Sequence, residues 1–234
     1  MVLLELIASV ATLLLTVVFA RWEGLRLQDV GVTPSHRSLP RFAVGTFIGL
    51  LMVALHTLLI GSMGHIRWVR SPGPVFSPLA VSVLAFLTLA FREEPAFHGY
   101  PLRSLDRAIG PWSAQLIIAF VFAVEHVAGG MTWLQAFWGA AVGSLFFGLV
   151  ALTTRGLAMS IGLHGAWDFA QWLLGYKDFS GLWHPIIEKG FEHRVEQIGM
   201  ISYLLVMGSA IFGVCGYRML RPKGFAFGKG QLDV

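Results

Sequence analysis

Seven stretches of the chain stay apolar for about the thickness of a bilayer. A helix rises about 1.5 Å per residue, so about 20 apolar residues cross the hydrocarbon. Runs of this kind cover 1–20, 42–63, 76–102, 112–129, 133–153, 157–174 and 198–220. They predict an all-α, polytopic transmembrane helix bundle of about seven helices, with six and eight as bounds. Composition agrees. Hydrophobic residues make up 56% of the 234 and charged ones 13%, too little polar surface to cover a soluble core of this size. Such a balance also excludes disorder. Cys215 is the single cysteine, which excludes a disulfide scaffold. No repeat, low-complexity tract or soluble domain stands apart, so 1–234 reads as a single integral membrane domain.

The first run lacks the basic start and small-residue cleavage site of a signal peptide, since Glu5 is the only charge before Arg21. It is read as a membrane helix whose start lies outside. Of the 17 Lys and Arg, 11 follow odd-numbered runs and 5 follow even-numbered ones. The positive-inside rule then places the C-terminus in the cytoplasm. The net charge of +4 suits anionic lipid headgroups as the partner surface. No basic stripe interleaved with aromatics points to nucleic acid. The polar stretches 21–41 and 176–197 are expected to be loops or surface helices, and His184 and His193 to be solvated. Trp133, Trp138, Trp172 and Trp183 suit interfacial anchoring or packing. Gly45 and Gly49, and again Gly139 and Gly143, form GxxxG spacings that let helix backbones approach closely.

Ionisable side chains at membrane depth are costly unless paired or solvated, which marks them as functional candidates. Three clusters qualify, together with the isolated His56. The first holds Arg92, Glu93, Glu94 and His98. Adjacent helical residues diverge by about 100°, so one glutamate is expected to face a cavity and the other a structural partner. Glu94 and His98 pair if the helix is continuous. Pro95 disfavours helical geometry at Glu94 and predicts a kink or restart, or a separate interfacial helix. The second cluster holds Phe122, Glu125 and His126, with Phe122 and His126 on one face. The third places His164 and Asp168 one turn apart. Each has a plain structural alternative: a surface turn neutralising Arg92, a packing histidine, a self-satisfied Asp–His pair. Rise per residue puts Glu93, His126 and His164 about 15, 20 and 12 Å from the cytoplasmic ends, close enough to share one level. A carboxylate and two imidazoles meeting there suit water activation or metal binding.

These clusters resemble the three motifs of the CPBP family of intramembrane proteases, which includes CAAX prenyl endopeptidases and bacteriocin-processing (Abi-type) enzymes. The family pattern is EExxxR, FxxxH, then HxxxN or HxxxD on successive membrane helices. Here Glu93 and Glu94 open the first motif, Phe122 and His126 form the second, and His164 and Asp168 the third. Phe97, Gly99, Tyr100 and Leu102 also fit the first motif's context. The likeness spans 93–172, about a third of the chain. It departs at His98, which stands at the family's arginine. A histidine neutralises Glu94 only when protonated, which a membrane interior disfavours; Arg92 and Arg103 are alternative partners.

The resemblance implies an intramembrane endopeptidase, with Glu93 and His126 activating a water that attacks the scissile carbonyl. His164 stabilises the oxyanion side, and Asp168 orients His164 and keeps it protonated. It implies a metal-free glutamate mechanism. The metal-dependent alternative has Glu93, His126 and His164 ligating zinc or another divalent ion, with a fourth position open for water. It further implies a membrane-bound peptide or protein substrate, such as a C-terminal tail, and a bacterial inner membrane. Competing readings are a non-catalytic immunity or scaffold factor, a haem-binding electron carrier using His56, His126 and His164, and a proton-coupled transporter using Glu93, Glu125 and Asp168. No HExxH motif and no second intramembrane Asp are present. A Ser144–His164 dyad lacks the GxS spacing, because residue 142 is valine.

Overall fold

The computed structural model describes residues 2–62, 64–73, 75–177 and 181–220. Met1 and Met63 of the expected spans, and Arg221, Lys223 and Lys229 of the expected cytoplasmic tail, lie outside the described residues. Seven helices appear among those described: α1 (Val2–Trp22), α2 (Ser38–Ser62), α3 (Phe76–Ile109), α4 (Pro111–Ala128), α5 (Trp133–Thr154), α6 (Ala158–Leu173) and α7 (Glu192–Leu220). Six are long and apolar enough to cross a membrane; α6, with 16 residues, is the shorter one. The chain is an integral, multi-pass membrane protein.

Helix α6 is short because it is the centre of the bundle rather than its wall. Every residue from Ser160 to Asp168 is buried. A helix covered on all sides is enclosed by its neighbours instead of facing lipid. Its closest neighbour is α2, and glycines on both helices make the contact. A Cβ on Gly45 would collide with the Met159 carbonyl, one on Gly49 would come 2.7 Å from the Leu163 carbonyl, and one on Gly162 would collide with the Phe42 carbonyl. The first GxxxG therefore does what its spacing predicts. The second does not. A Cβ on Gly139 would meet nothing within 4 Å. There the Gly139 carbonyl instead accepts from the Tyr203 hydroxyl at 2.6 Å.

Helix α3 stays helical through Pro95, where a kink or restart was expected. Glu94 keeps helical angles (φ −63°, ψ −46°) although a proline follows. Proline has no N–H to give to the ladder. The chain accommodates it by widening into a π-helical turn over Glu94–Gly99. Gly99 then leaves helical geometry (φ −81°, ψ −118°), and Tyr100–Ile109 continues as α-helix. The break in α3 therefore falls at Gly99, and the segment after it, Tyr100–Ile109, is amphipathic.

The polar stretch 176–197 holds a strand instead of only loop or surface helix. β1 (Ile66–Arg70) pairs antiparallel with β2 (Trp183–Ile187), from Ile66 opposite Ile187 to Arg70 opposite Trp183. The partners are separated by four helices, so neither five-residue segment announces the other. Ser71 Oγ donates to the Gly181 carbonyl at 2.8 Å and lies 3.2 Å from His184, which is half-buried, not solvated. His65 Nδ1 lies 2.6 Å from Glu188. Of the tryptophans, Trp133, Trp138 and Trp183 are exposed, while Trp172 is buried.

Candidate active site

Glu93 closes the regular part of α3 and Glu94 opens its π-helical turn. Only one of them was expected to face the cavity. Both reach the same residue, His164 at the centre of α6. Glu94 Oε1 accepts from His164 Nδ1 at 2.9 Å. Glu93 Oε2 lies 3.6 Å from His164 Nε2, beyond a hydrogen bond. An imidazole carries its nitrogens on two edges, so one ring can meet two diverging carboxylates. The ring of His164 is stacked on Phe147 at 4.6 Å between centroids and 14° between planes, which fixes its tilt.

Arg92 was a candidate partner for Glu94, and so was Arg103. Neither holds it. Arg92 pairs with Glu93, with Glu5 of α1 at 3.1 Å and with Glu125 of α4 at 3.6 Å. It lies one residue before Glu93 and points toward α1 and α4. Arg103 is buried and donates to the Ala151 carbonyl at 2.7 Å, in the last turn of α5. Glu94 is instead paired with His98, whose Nδ1 lies 2.9 Å from Glu94 Oε2. Both side chains are fully buried. The expected four-residue pairing therefore forms across the π-turn, and His98, which stands at the family's arginine in the motif, is the residue that meets Glu94.

His126 of α4 turns its Nδ1 to the Phe122 carbonyl at 2.9 Å and lies 3.1 Å from Glu125 Oε2. Glu125 was expected on a different face, yet its flexible side chain folds back to its neighbour. Its other oxygen is the one beside Arg92, so His126 joins the cluster through Glu125 and Arg92. Phe122 stands between the histidines. Its ring centroid lies 4.4 Å from that of His126, 6.3 Å from His98 and 6.4 Å from His164.

Asp168 Oδ2 lies 3.8 Å from His164 Nε2, so the expected Asp–His pair is a loose one. Its tight partner is Lys177, whose Nζ is 2.8 Å from Oδ1. The same Nζ stands 5.3 Å over the ring of Phe86. Sequence reasoning missed Lys177, which lies beyond the end of α6 and reaches back with a long side chain. It also missed Glu5 as the partner of Arg92. A lone carboxylate in an apolar run was the available signal, because such a group needs a cation.

Glu93, His126 and His164 were the ligand set of the metal-dependent alternative. Among the described residues no three His, Cys, Asp or Glu side chains are placed to hold a metal ion. Glu93 is engaged by Arg92, His126 Nδ1 by Phe122 and Glu125, and His164 Nδ1 by Glu94. The Arg92 guanidinium on Glu93 sets a positive charge where a bound cation would lie. His56, the isolated case, lies 2.9 Å from Ser202 Oγ within a ring of Trp167, Tyr176 and Tyr203.

Residues 75–170 match the family model described as type II CAAX prenyl endopeptidase Rce1-like. No curated protein and no solved structure matches the chain. The matched stretch contains all three motifs. Over residues 75–170 the chain is similar to that family, and the three motifs that resemble CPBP proteases fall in the same stretch.

Proposed function

We propose that this multi-pass membrane protein, a CAAX-type intramembrane endopeptidase by its match over residues 75–170, cleaves its substrate with a water activated by Glu93 and His126. Glu93 Oε2 lies near His164 Nε2 without a hydrogen bond between them, so that oxygen keeps a lone pair for a water proton. His126 supplies the second imidazole on the α4 side. As the water attacks, negative charge grows on the carbonyl oxygen. His164 meets it with Nε2–H while its Nδ1–H stays on Glu94. Asp168 acts indirectly: it holds the His164 ring as imidazolium, and Lys177 offsets its own charge. The leaving amine then takes its proton back from the Glu93 side.

The observation that carries this reading is the position of His164 Nε2, 3.6 Å from Glu93 and 3.8 Å from Asp168. A general base and an oxyanion donor so placed can act on one carbonyl from two sides. The Arg92 guanidinium paired with Glu93 supports hydrolysis without a metal, because a cation already sits on that carboxylate. The substrate is a membrane-bound peptide or protein, with a C-terminal tail as the favoured form. The excess of Lys and Arg after odd-numbered apolar runs of the sequence supports a cytoplasmic C-terminus, and we place the protein in a bacterial inner membrane.

The test is incubation of the purified protein in detergent with a prenylated CAAX-tail peptide and with membrane-anchored tail peptides, with and without a chelator. Mass spectrometry reads the cut. Internal cleavage that persists with chelator is expected. Cleavage that stops with chelator and returns with zinc overturns the metal-free part. Absence of cleavage of every peptide overturns the reading as a peptidase of these substrates.

A further inference from the structure

A serine that no motif includes lies behind the site. Ser144 of α5 is fully buried, and its Oγ lies 3.0 Å from His98 Nε2. His98 Nδ1 meets Glu94 Oε2 at 2.9 Å, and Glu94 Oε1 meets His164 Nδ1 at 2.9 Å. Ser144, His98, Glu94 and His164 thus form one unbroken chain of short polar contacts from α5 through α3 to α6. Its first half has the order serine–histidine–carboxylate of a hydrolytic triad. Burial argues against that use: Ser144, His98 and Glu94 are each 0% exposed, and a nucleophile has to meet its substrate. The dyad suggested by sequence is also absent as such, since Ser144 contacts His98.

We propose that Ser144 is a positioning residue, acting through His98 and Glu94 to fix the ring of His164. A hydroxyl both donates and accepts. Ser144 therefore satisfies His98 Nε2 whichever proton that nitrogen carries, and leaves Nδ1–H free to serve Glu94. With Oε2 of Glu94 held by His98, only Oε1 is left for His164 Nδ1. The opposite edge of that ring is then aimed at Glu93 and Asp168. Arginine at position 98 would bring several donors and no acceptor, whereas imidazole Nε2 takes one partner whose role a hydroxyl can match either way. The serine is the complement of the histidine that stands there in this chain. Because an orphaned polar group at this depth cannot turn to water, losing Ser144 makes His98 seek another proton arrangement.

This inference rests on the hydrolase reading for its consequence, though not for the wiring itself, and one experiment separates the two. The protein is labelled with 15N at its 8 histidines, and the ring signals of His98 and His164 are assigned from His98→Gln and His164→Gln. They are then recorded in Ser144→Ala. Ser160→Ala is the control, because Ser160 is equally buried but its Oγ donates to the Leu157 carbonyl. Ser144→Ala is expected to move the signals of both rings and Ser160→Ala neither. In the cleavage assay Ser144→Ala is expected to lower kcat about tenfold with KM unchanged. Ser144→Cys, similar in size with a weaker donor, replaces the alanine variant if that variant does not fold. His164 signals that stay at their wild-type positions overturn the proposal. Moved signals in a protein that cleaves no peptide support the wiring and overturn the hydrolase reading alone.

Discussion

Nδ1 of His164 lies 2.9 Å from Oε1 of Glu94, and both side chains are buried. Glu94 is thereby held by two imidazoles, while its neighbour Glu93 is held by Arg92 and stands off from His164. Adjacent carboxylates so divided have different work.

Glu94→Gln removes an anion from two ring donors with no water to replace it, and is expected to destabilise the protein by about 1–3 kcal/mol. Glu93→Gln leaves Arg92 with Glu5 and Glu125. It is expected to unfold near the wild-type temperature while losing turnover. Thermal unfolding in detergent separates the two variants; equal destabilisation would contradict the division.

Lys177 is expected to act on the site through Asp168. Lys177→Met leaves a buried carboxylate beside His164 without its cation, and should slow cleavage about tenfold. Adding Asp168→Asn to Lys177→Met should then cost little more, because the two residues act as one unit. Independent, multiplying losses in the double variant would show that the ion pair at 2.8 Å has no part in the site.

Helix α6 carries His164 and Asp168, and glycines bring its opposite face close to α2. Gly162→Ala forces a methyl group onto the Phe42 backbone. An overpacked contact of this kind costs about 1–3 kcal/mol. Gly208→Ala in α7, where a Cβ meets nothing within 4 Å, is the control and should leave the unfolding temperature unchanged.

What was legible in the sequence follows from how local each signal is. Apolar run length belongs to one segment, so all seven helices could be located, although α7 starts at Glu192 and not at 198. The pairs His164–Asp168 and Glu94–His98 lie within single helices, and their spacing was informative. Contacts between helices were not legible. Ser144 meets His98 and Glu5 meets Arg92 across gaps that no local period encodes. The convergence of Glu93 and Glu94 on His164 was hidden for another reason. A regular helix separates neighbours by about 100°, and only the two edges of an imidazole reconcile that divergence with a shared partner. The β1–β2 pair was missed because five residues of mixed polarity resemble any membrane-surface loop until the partner strand is known.

The central claim is that Glu93 and His126 together activate the water that cleaves the peptide. Its most direct test is the turnover of Glu93→Gln and His126→Ala beside wild type, on one cleaved peptide and at equal folded concentration. The account predicts that each variant loses at least about a hundredfold in kcat, the scale of a missing general base. Cleavage at the wild-type rate by either variant would contradict it.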